Sequence, residues 1–239
     1  ARIVPVTDAF RRYMVDAGVQ ETKIEVVKNG VEFGLFDRSR SGKDLRARLG
    51  LEGRFVAAYF GTHGMAHHLE TIFEAARLLA DDERIVFMMV GDGAEKARLA
   101  EMRGQLGLDN VLMLDQQPKA AMPEFWAMAD ASLVLLRRAD LFKTVIPSKI
   151  FEAMGMATPI VLGVDGEARE IVEAAGGGIF IEPENATQLA DAVRRLADDP
   201  ELGAKMGDSA HDYVRTYFDR RVLAHRYLDV LKGVATAPT

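Results

Sequence analysis

Lys149 and Glu152 lie three positions apart, directly after Pro147 and Ser148, so a cation, a carboxylate and the start of a helix fall in one short stretch. Proline at a first helical turn loses nothing, because its missing N–H would be unpaired there anyway. Such a turn presents free backbone donors, the positive end of the helix dipole and the Lys149 ammonium together. Arg137, Arg138 and Lys143 precede it in the same segment. This chemistry suits phosphate. Glu152 shares a helix edge with Ser148 and Lys149, while Ile150, Phe151 and Met154 can face a core. A carboxylate just beyond a phosphate site is well placed to accept hydrogen bonds from ribose hydroxyls. The same residues also fit an ordinary amphipathic helix with a solvated lysine, so the stretch by itself leaves both open.

Further chemistry is expected in loops that follow apolar runs. Gly61-Thr62-His63-Gly64, Gly91-Asp92-Gly93, Asp115-Gln116-Gln117-Pro118 and Gly163-Val164-Asp165-Gly166-Glu167 each follow such a run. Glycines there let backbone donors approach a ligand. Gly91-x-Gly93 lacks the third glycine of the dinucleotide fingerprint, since position 96 is lysine, and no loop ends in Gly-Lys-Ser or Gly-Lys-Thr. A dehydrogenase and a Walker-type ATPase are therefore disfavoured. His63, His67, His68 and Glu70 invite a metal, but His63 precedes the helix and the other two histidines are adjacent, so they point apart. A neutral donor to a phosphate or sugar, or a polar helix start, fits them better. His211 and His225 read as structural, and Phe125 and Trp126 as core.

These loops require a scaffold. Strands are expected at 55–60, 85–90, 111–114, 131–136, 160–162 and 178–181, alternating with helices near 67–80, 95–106, 120–128, 148–155, 167–175 and 186–197. Near-continuous apolar strands separated by helices imply a parallel sheet buried on both faces, a doubly wound, Rossmann-like α/β domain. In such sheets the ligand sits at the carboxyl ends of the strands. Asn185 with Gln188 resembles a capping box. Two helices, near 200–218 and 219–232, close the chain. At the other end, strands at 2–6 and 24–27 flank a helix over 7–17 capped by Thr7 or Asp8, and a polar connector with a short helix at 44–49 leads into the main domain.

Composition narrows the classes. Of 239 residues, 49% are hydrophobic and 28% charged, enough apolar material for a core. No cysteine is present, which excludes a disulfide framework and a thiolate metal site or nucleophile. No apolar run approaches the length of a membrane-spanning helix. A net charge of -6 argues against nucleic acid as a partner, and the cations at 137–149 stand out against it, as a discrete anionic ligand requires.

The stretch from Pro147 to Val161, with the segment from Val4 to Glu32, Val90-Gly-Asp-Gly and Asp165-Gly-Glu, resembles the C-terminal donor-binding half of the GT-B glycosyltransferases of family 4. The runs Phe60 to Met65 and Phe142 to Lys149 are similar to those of bacterial enzymes that transfer N-acetylated deoxyhexosamines of the fucosamine type in O-antigen or capsule synthesis. The resemblance implies a junction segment over 1–40 and a donor-binding domain over 41–239. It also implies transfer with retention from a nucleotide-diphosphate sugar, UDP being the expected nucleotide, without a metal or other cofactor. The acceptor, a glycan or polyprenyl-linked sugar, would be held by an N-terminal domain absent from this chain, so the fragment alone is expected to be inactive. The final helices would pack against that domain through an apolar face left uncovered here. The implied location is cytoplasmic, with peripheral association at the inner membrane open to the full-length protein.

Two departures from the family bear on the site. Its glutamate pair has seven residues between its members; Glu152 matches the second, but Thr144 stands at the first. Its Arg and Lys after the first strand are replaced by Thr62 and by His67 or His68. Lys143, Lys149 and one of Arg137 or Arg138, with Arg137 taken as the site residue, are therefore expected to stabilise the leaving diphosphate. Gly61, Thr62, His63, Gly64, Gly91, Gly93, Gln116, Thr144, Pro147, Ser148, Glu152, Asp165 and Glu167 are expected to hold the donor. A sugar-nucleotide epimerase of the same architecture, using Glu167 and His63, and a non-catalytic nucleotide-binding module are the alternatives.

Overall fold

The computed structural model describes residues 1–235; the last four positions of the segment expected at 41–239 lie outside the described residues. The elements run α1 (Asp8–Asp16), α2 (Lys43–Leu49), β1 (Phe55–Phe60), α3 (Glu70–Leu78), β2 (Ile85–Val90), α4 (Lys96–Leu106), β3 (Val111–Leu114) and α5 (Met122–Met128). They continue with β4 (Ala131–Leu135), α6 (Lys149–Gly155), β5 (Ile160–Gly163), α7 (Glu167–Ala174), β6 (Gly178–Phe180), α8 (Ala186–Asp198), α9 (Pro200–Tyr217) and α10 (Arg220–Ala235).

The strands form one parallel sheet in the order β3-β2-β1-β4-β5-β6. Chain direction across the sheet reverses between β1 and β4, the place where a doubly wound sheet opens a crevice for a ligand. Alternation along β1 explains the layering. Val56, Ala58 and Phe60 join one apolar layer with Trp126, Ile150, Phe151 and Met154, while Ala57 and Tyr59 join the other with Ile72, Phe73, Leu189 and Val193. The buried Phe73, Trp126 and Phe151 side chains each contribute on the order of 2–3 kcal/mol by area.

Several expectations change at element ends. The chain before α1 and the run at 24–27 do not form strands. They meet in a single bridge, Ile3 with Ile24, because so short a pair has no third strand to extend it. The helix expected from 67 begins at Glu70, after a 3₁₀ turn at Met65–His67 and a left-handed His68. Thr7 is the cap of α1, accepting from the Phe10 amide at 3.0 Å. Asn185 caps α8 through the Gln188 amide, but the Gln188 side chain accepts from the Glu182 N–H, so the capping box is half formed.

Candidate functional site

A cleft of about 520 Å³ opens at the carboxyl edge of the sheet over the β1/β4 reversal. That volume suits a nucleotide-sized ligand. Loops after four strands and the first turn of α6 line it. Phe60 comes from the end of β1, Gly61, Thr62 and His67 from beyond it, Gly91 and Asp92 from beyond β2, Gln116, Gln117 and Lys119 from beyond β3, Val145, Pro147 and Ser148 from the loop after β4, and Lys149 and Glu152 from α6.

The glycines are spatial necessities. A Cβ on Gly91 would sit 1.8 Å from the Gly61 carbonyl oxygen, so the two loops touch through bare backbone. At Gly61, whose φ is +139°, a Cβ would lie 2.8 Å from the Lys149 Nζ. Gly93 backs onto the His63 carbonyl in the same way.

Lys149 dominates the electrostatics. Its Nζ is buried without a hydrogen-bond partner and lies 3.9 Å from the centre of the Tyr59 ring. Burial, opposed only by the charge of Glu152, brings its pKa down to about 7. Glu152 is half-buried and accepts a hydrogen bond from the Trp126 indole N–H at 3.3 Å; burial raises its pKa. Lysine and glutamate three apart on a helix ordinarily pair. Here each is turned to an aromatic partner instead.

The histidines do not form a metal site. Among the described residues no three His, Asp or Glu side chains converge to hold an ion. His63 is wholly buried beneath the cleft, with neither ring nitrogen bonded, and burial reinforced by Lys96 lowers its pKa to about 4. His67 lines the cleft, its Nδ1 3.2 Å from the Leu135 carbonyl oxygen, and burial with the nearby Lys149 lowers its pKa too. His68 turns to the Thr71 hydroxyl, and Glu70 pairs with Arg98.

Of the expected site residues, Gly61, Thr62, Gly91, Gln116, Pro147, Ser148, Lys149 and Glu152 are gathered at the cleft. Arg137, Lys143 and Asp165 are not. They line an adjoining recess of about 160 Å³ beyond β4 and β5, which shares Leu136 with the cleft and where Lys143 pairs with Asp140 at 2.9 Å and Asp165 lies 3.6 Å from Arg169. Lys143, in the turn at Asp140–Thr144, lines that recess and not the cleft. Thr144 spends its hydroxyl on the Leu141 carbonyl, and Gly64 stays outside the lining. His63 supports the loop from beneath.

Glu167 needs the largest correction. It is 4% exposed and accepts from the Asp8 and Ala9 amides at 3.2 and 3.1 Å, with the Lys28 ammonium at 2.6 Å. A buried carboxylate must be satisfied where it stands, and the free amides at the start of α1 do that. Glu167 thus ties the N-terminal segment to the sheet domain and is not among the residues that line the cleft, where the epimerase alternative would need its carboxylate.

Tyr59, Asp92, Gln117 and Lys119 were not singled out as site residues. Lys119 carried the available signal, since it directly follows the Gln116-Gln117-Pro118 loop. Nothing in the strand pattern distinguishes Tyr59 from a core aromatic.

A family model for "Glycosyl transferases group 1" matches residues 42–213. The chain belongs to this family. Among its curated relatives is the "Putative colanic acid biosynthesis glycosyl transferase WcaI" of Escherichia coli (strain K12), 28% identical over 193 residues, 79% of this chain and 46% of the relative. An alpha-D-kanosaminyltransferase of Streptomyces kanamyceticus is 29% identical over 169 residues, 70% of this chain and 42% of the relative. The chain spans about half the length of these curated relatives. Anabaena HepE, solved in complex with UDP-glucose, superposes with a TM-score of 0.85 at 21% identity over 97% of this chain and 64% of that one. The C-terminal domain of a glycosyl transferase group 1 protein, LpcC of Francisella tularensis, superposes at 0.66 with 19% identity, over 80% and 99% of the two chains. The fold is a Rossmann-like α/β sheet that matches the GT-B glycosyltransferase structures.

Proposed function

We propose that this chain is the donor-binding half of a retaining, metal-independent glycosyltransferase of surface polysaccharide synthesis. Its donor is a UDP-sugar, N-acetylated as the similarity of Phe60 to Met65 and Phe142 to Lys149 to the fucosamine-type enzymes of O-antigen and capsule synthesis implies. Its acceptor, a glycan or polyprenyl-linked sugar, sits on a second domain. What supports this is the pairing of an unpartnered amine, Lys149, with a half-buried carboxylate, Glu152, on one turn of α6 in one cleft. Lys149 and the adjacent backbone N–H groups receive the diphosphate, and Glu152 accepts from the ribose hydroxyls. During transfer the acceptor hydroxyl oxygen bonds to the anomeric carbon on the face the diphosphate leaves, the bond from that carbon to the diphosphate oxygen breaks, the hydroxyl proton passes to the departing diphosphate, and Lys149, protonated by then, stabilises the remaining charge.

The acceptor domain would cover α10, where Val222, Leu228 and Leu231 are 63%, 44% and 48% exposed and no residue is buried. No described helix is long and apolar enough to cross a membrane. The proposed setting is the cytoplasm, with peripheral attachment to the inner membrane through the full-length protein. Thermal shift against UDP, GDP, ADP and dTDP tests the donor class, since a ligand at a hundred times its Kd stabilises by about 2.7 kcal/mol. UDP should give the largest shift, and no shift with any of the four would contradict the proposal.

A further inference from the structure

Lys149 and Glu152 occupy positions three apart on α6, both withdrawn from bulk water, yet no ion pair joins them. Two aromatic side chains from different elements account for the separation. The Tyr59 ring, standing at the end of β1 in the opposite layer from α6, offers its face to the Lys149 Nζ. The Trp126 indole of α5 donates to Glu152 Oε2. Tyr59 has a second attachment, its hydroxyl donating to the Thr62 carbonyl oxygen at 2.8 Å, so the same residue fixes the loop opposite the amine. Lys149 therefore reaches over the carboxyl edge of the sheet toward the β1 loop instead of folding back along its own helix.

Resting on the donor site proposed above, we propose that Tyr59 is a positioning residue that holds Lys149 away from Glu152, leaving the amine free for the diphosphate and the carboxylate free for the ribose. The Tyr59 ring gives the amine, protonated or neutral, a face to pack against without consuming a hydrogen-bond donor, and the protonated form keeps part of its stabilisation there. Paired with Glu152, Lys149 would stay protonated but with its charge compensated and the carboxylate occupied, and the pair would have to be broken apart before a nucleotide could enter. The groups facing Lys149 are Tyr59 from β1, His63 and His67 from the loop beyond it, and Glu152 from α6. Lys119 and Arg220 act on Glu152 from the other side.

The separation has a signature that a merely structural tyrosine would not give. An unpaired buried amine is largely neutral near pH 8 and takes up a proton when a diphosphate arrives, whereas one already paired with Glu152 is charged beforehand. The window is clean. A terminal phosphate is fully ionised well above its pKa of about 6, and His63 and His67 are both neutral there.

The experiment is calorimetric titration of the chain with UDP and with uridine near pH 8, in buffers of differing ionisation enthalpy. The wild-type chain should take up most of a proton per UDP bound and almost none per uridine. Tyr59→Phe, which keeps the ring, should match it. Tyr59→Leu should bind UDP about tenfold more weakly and lose the uptake, because Lys149 closes on Glu152. In a Lys149→Met background Tyr59→Leu should change UDP affinity by less than about twofold. Wild-type affinity and uptake in Tyr59→Leu, or an undiminished loss in the Lys149→Met background, would overturn the proposal. If Tyr59→Leu does not fold, the wild-type chain decides: UDP binding without proton uptake means that Lys149 is already paired. Failure of the wild-type chain to bind UDP at all would instead count against the donor site itself.

Discussion

The Lys149 ammonium nitrogen lies 3.9 Å from the centre of the Tyr59 ring and bonds to nothing else, at the one place where loops from β1 and β2 and the start of α6 meet. A buried amine without an acceptor destabilises the unliganded fold, and such a cost is tolerated where a ligand relieves it.

That cost is measurable. Lys149→Met should stabilise the unliganded chain by about 2–4 kcal/mol near neutral pH, since an apolar side chain of similar reach replaces a group whose folded-state pKa is depressed. The sign follows from linkage. A depressed amine pKa means that the unfolded chain binds the extra proton between about pH 7 and the ordinary value of 10.5, so this group's penalty is full below pH 7 and shrinks as pH rises through that window. Denaturant unfolding of both proteins from pH 6.5 to 9 should show the advantage of Lys149→Met narrowing upward; an advantage independent of pH would assign it to packing alone.

Glu167 makes the opposite case. Glu167→Ala should cost about 1–3 kcal/mol of stability by leaving two amides of α1 without their acceptor and Lys28 with Asp8 as its remaining carboxylate, with the charge contribution reduced because Lys28 is partly exposed. UDP affinity at a temperature where the variant remains folded should not change. A selective loss of affinity without loss of stability would return Glu167 to the binding site.

Much of this was legible in the sequence, and the failures have physical causes. Each strand from β1 to β6 was expected within one residue of its observed end, because a buried parallel strand is an unbroken apolar run and glycine or proline punctuates its borders. Lys149 and Glu152 were legible because helical spacing puts both on one edge. The cation cluster was misleading: Lys143 sits in a 3₁₀ turn whose direction sequence spacing does not encode, and Asp140 in that turn claims it. Glu167 looked like a loop carboxylate near the ligand because its partners, Lys28 and the start of α1, lie far away in the chain. Tyr59 was hidden in an apolar strand, and only the packing of α6 across the sheet edge reveals what its ring faces.

The displaced cations give a third prediction. Lys143→Ala and Arg137→Ala should each change UDP affinity by less than about threefold, the scale of an exposed charge acting from a neighbouring recess. His67→Ala should also be mild, because its neutral imidazole carries no charge to lose near pH 7. Titration of the three variants beside Lys149→Ala ranks them, and a larger loss at Lys143 than at Lys149 would move the diphosphate to the recess.

Metal independence is the fourth. UDP affinity should survive EDTA unchanged and fall moderately with added salt, as contacts between phosphate and protein cations do. Loss on chelation with recovery on magnesium or manganese would show that protein cations do not suffice.

The central claim is that one nucleoside diphosphate spans the first turn of α6, phosphate on Lys149 and ribose on Glu152. Parallel titration of Lys149→Ala and Glu152→Gln with uridine and with UDP tests it most directly. Lys149→Ala should lose about 1.5–3 kcal/mol for UDP and almost nothing for uridine, the range for hydrogen bonds to charged groups. Glu152→Gln should lose about 1–3 kcal/mol for both ligands, because both carry the ribose. Equal losses for uridine and UDP in Lys149→Ala, or unchanged affinity for both in Glu152→Gln, would contradict the account.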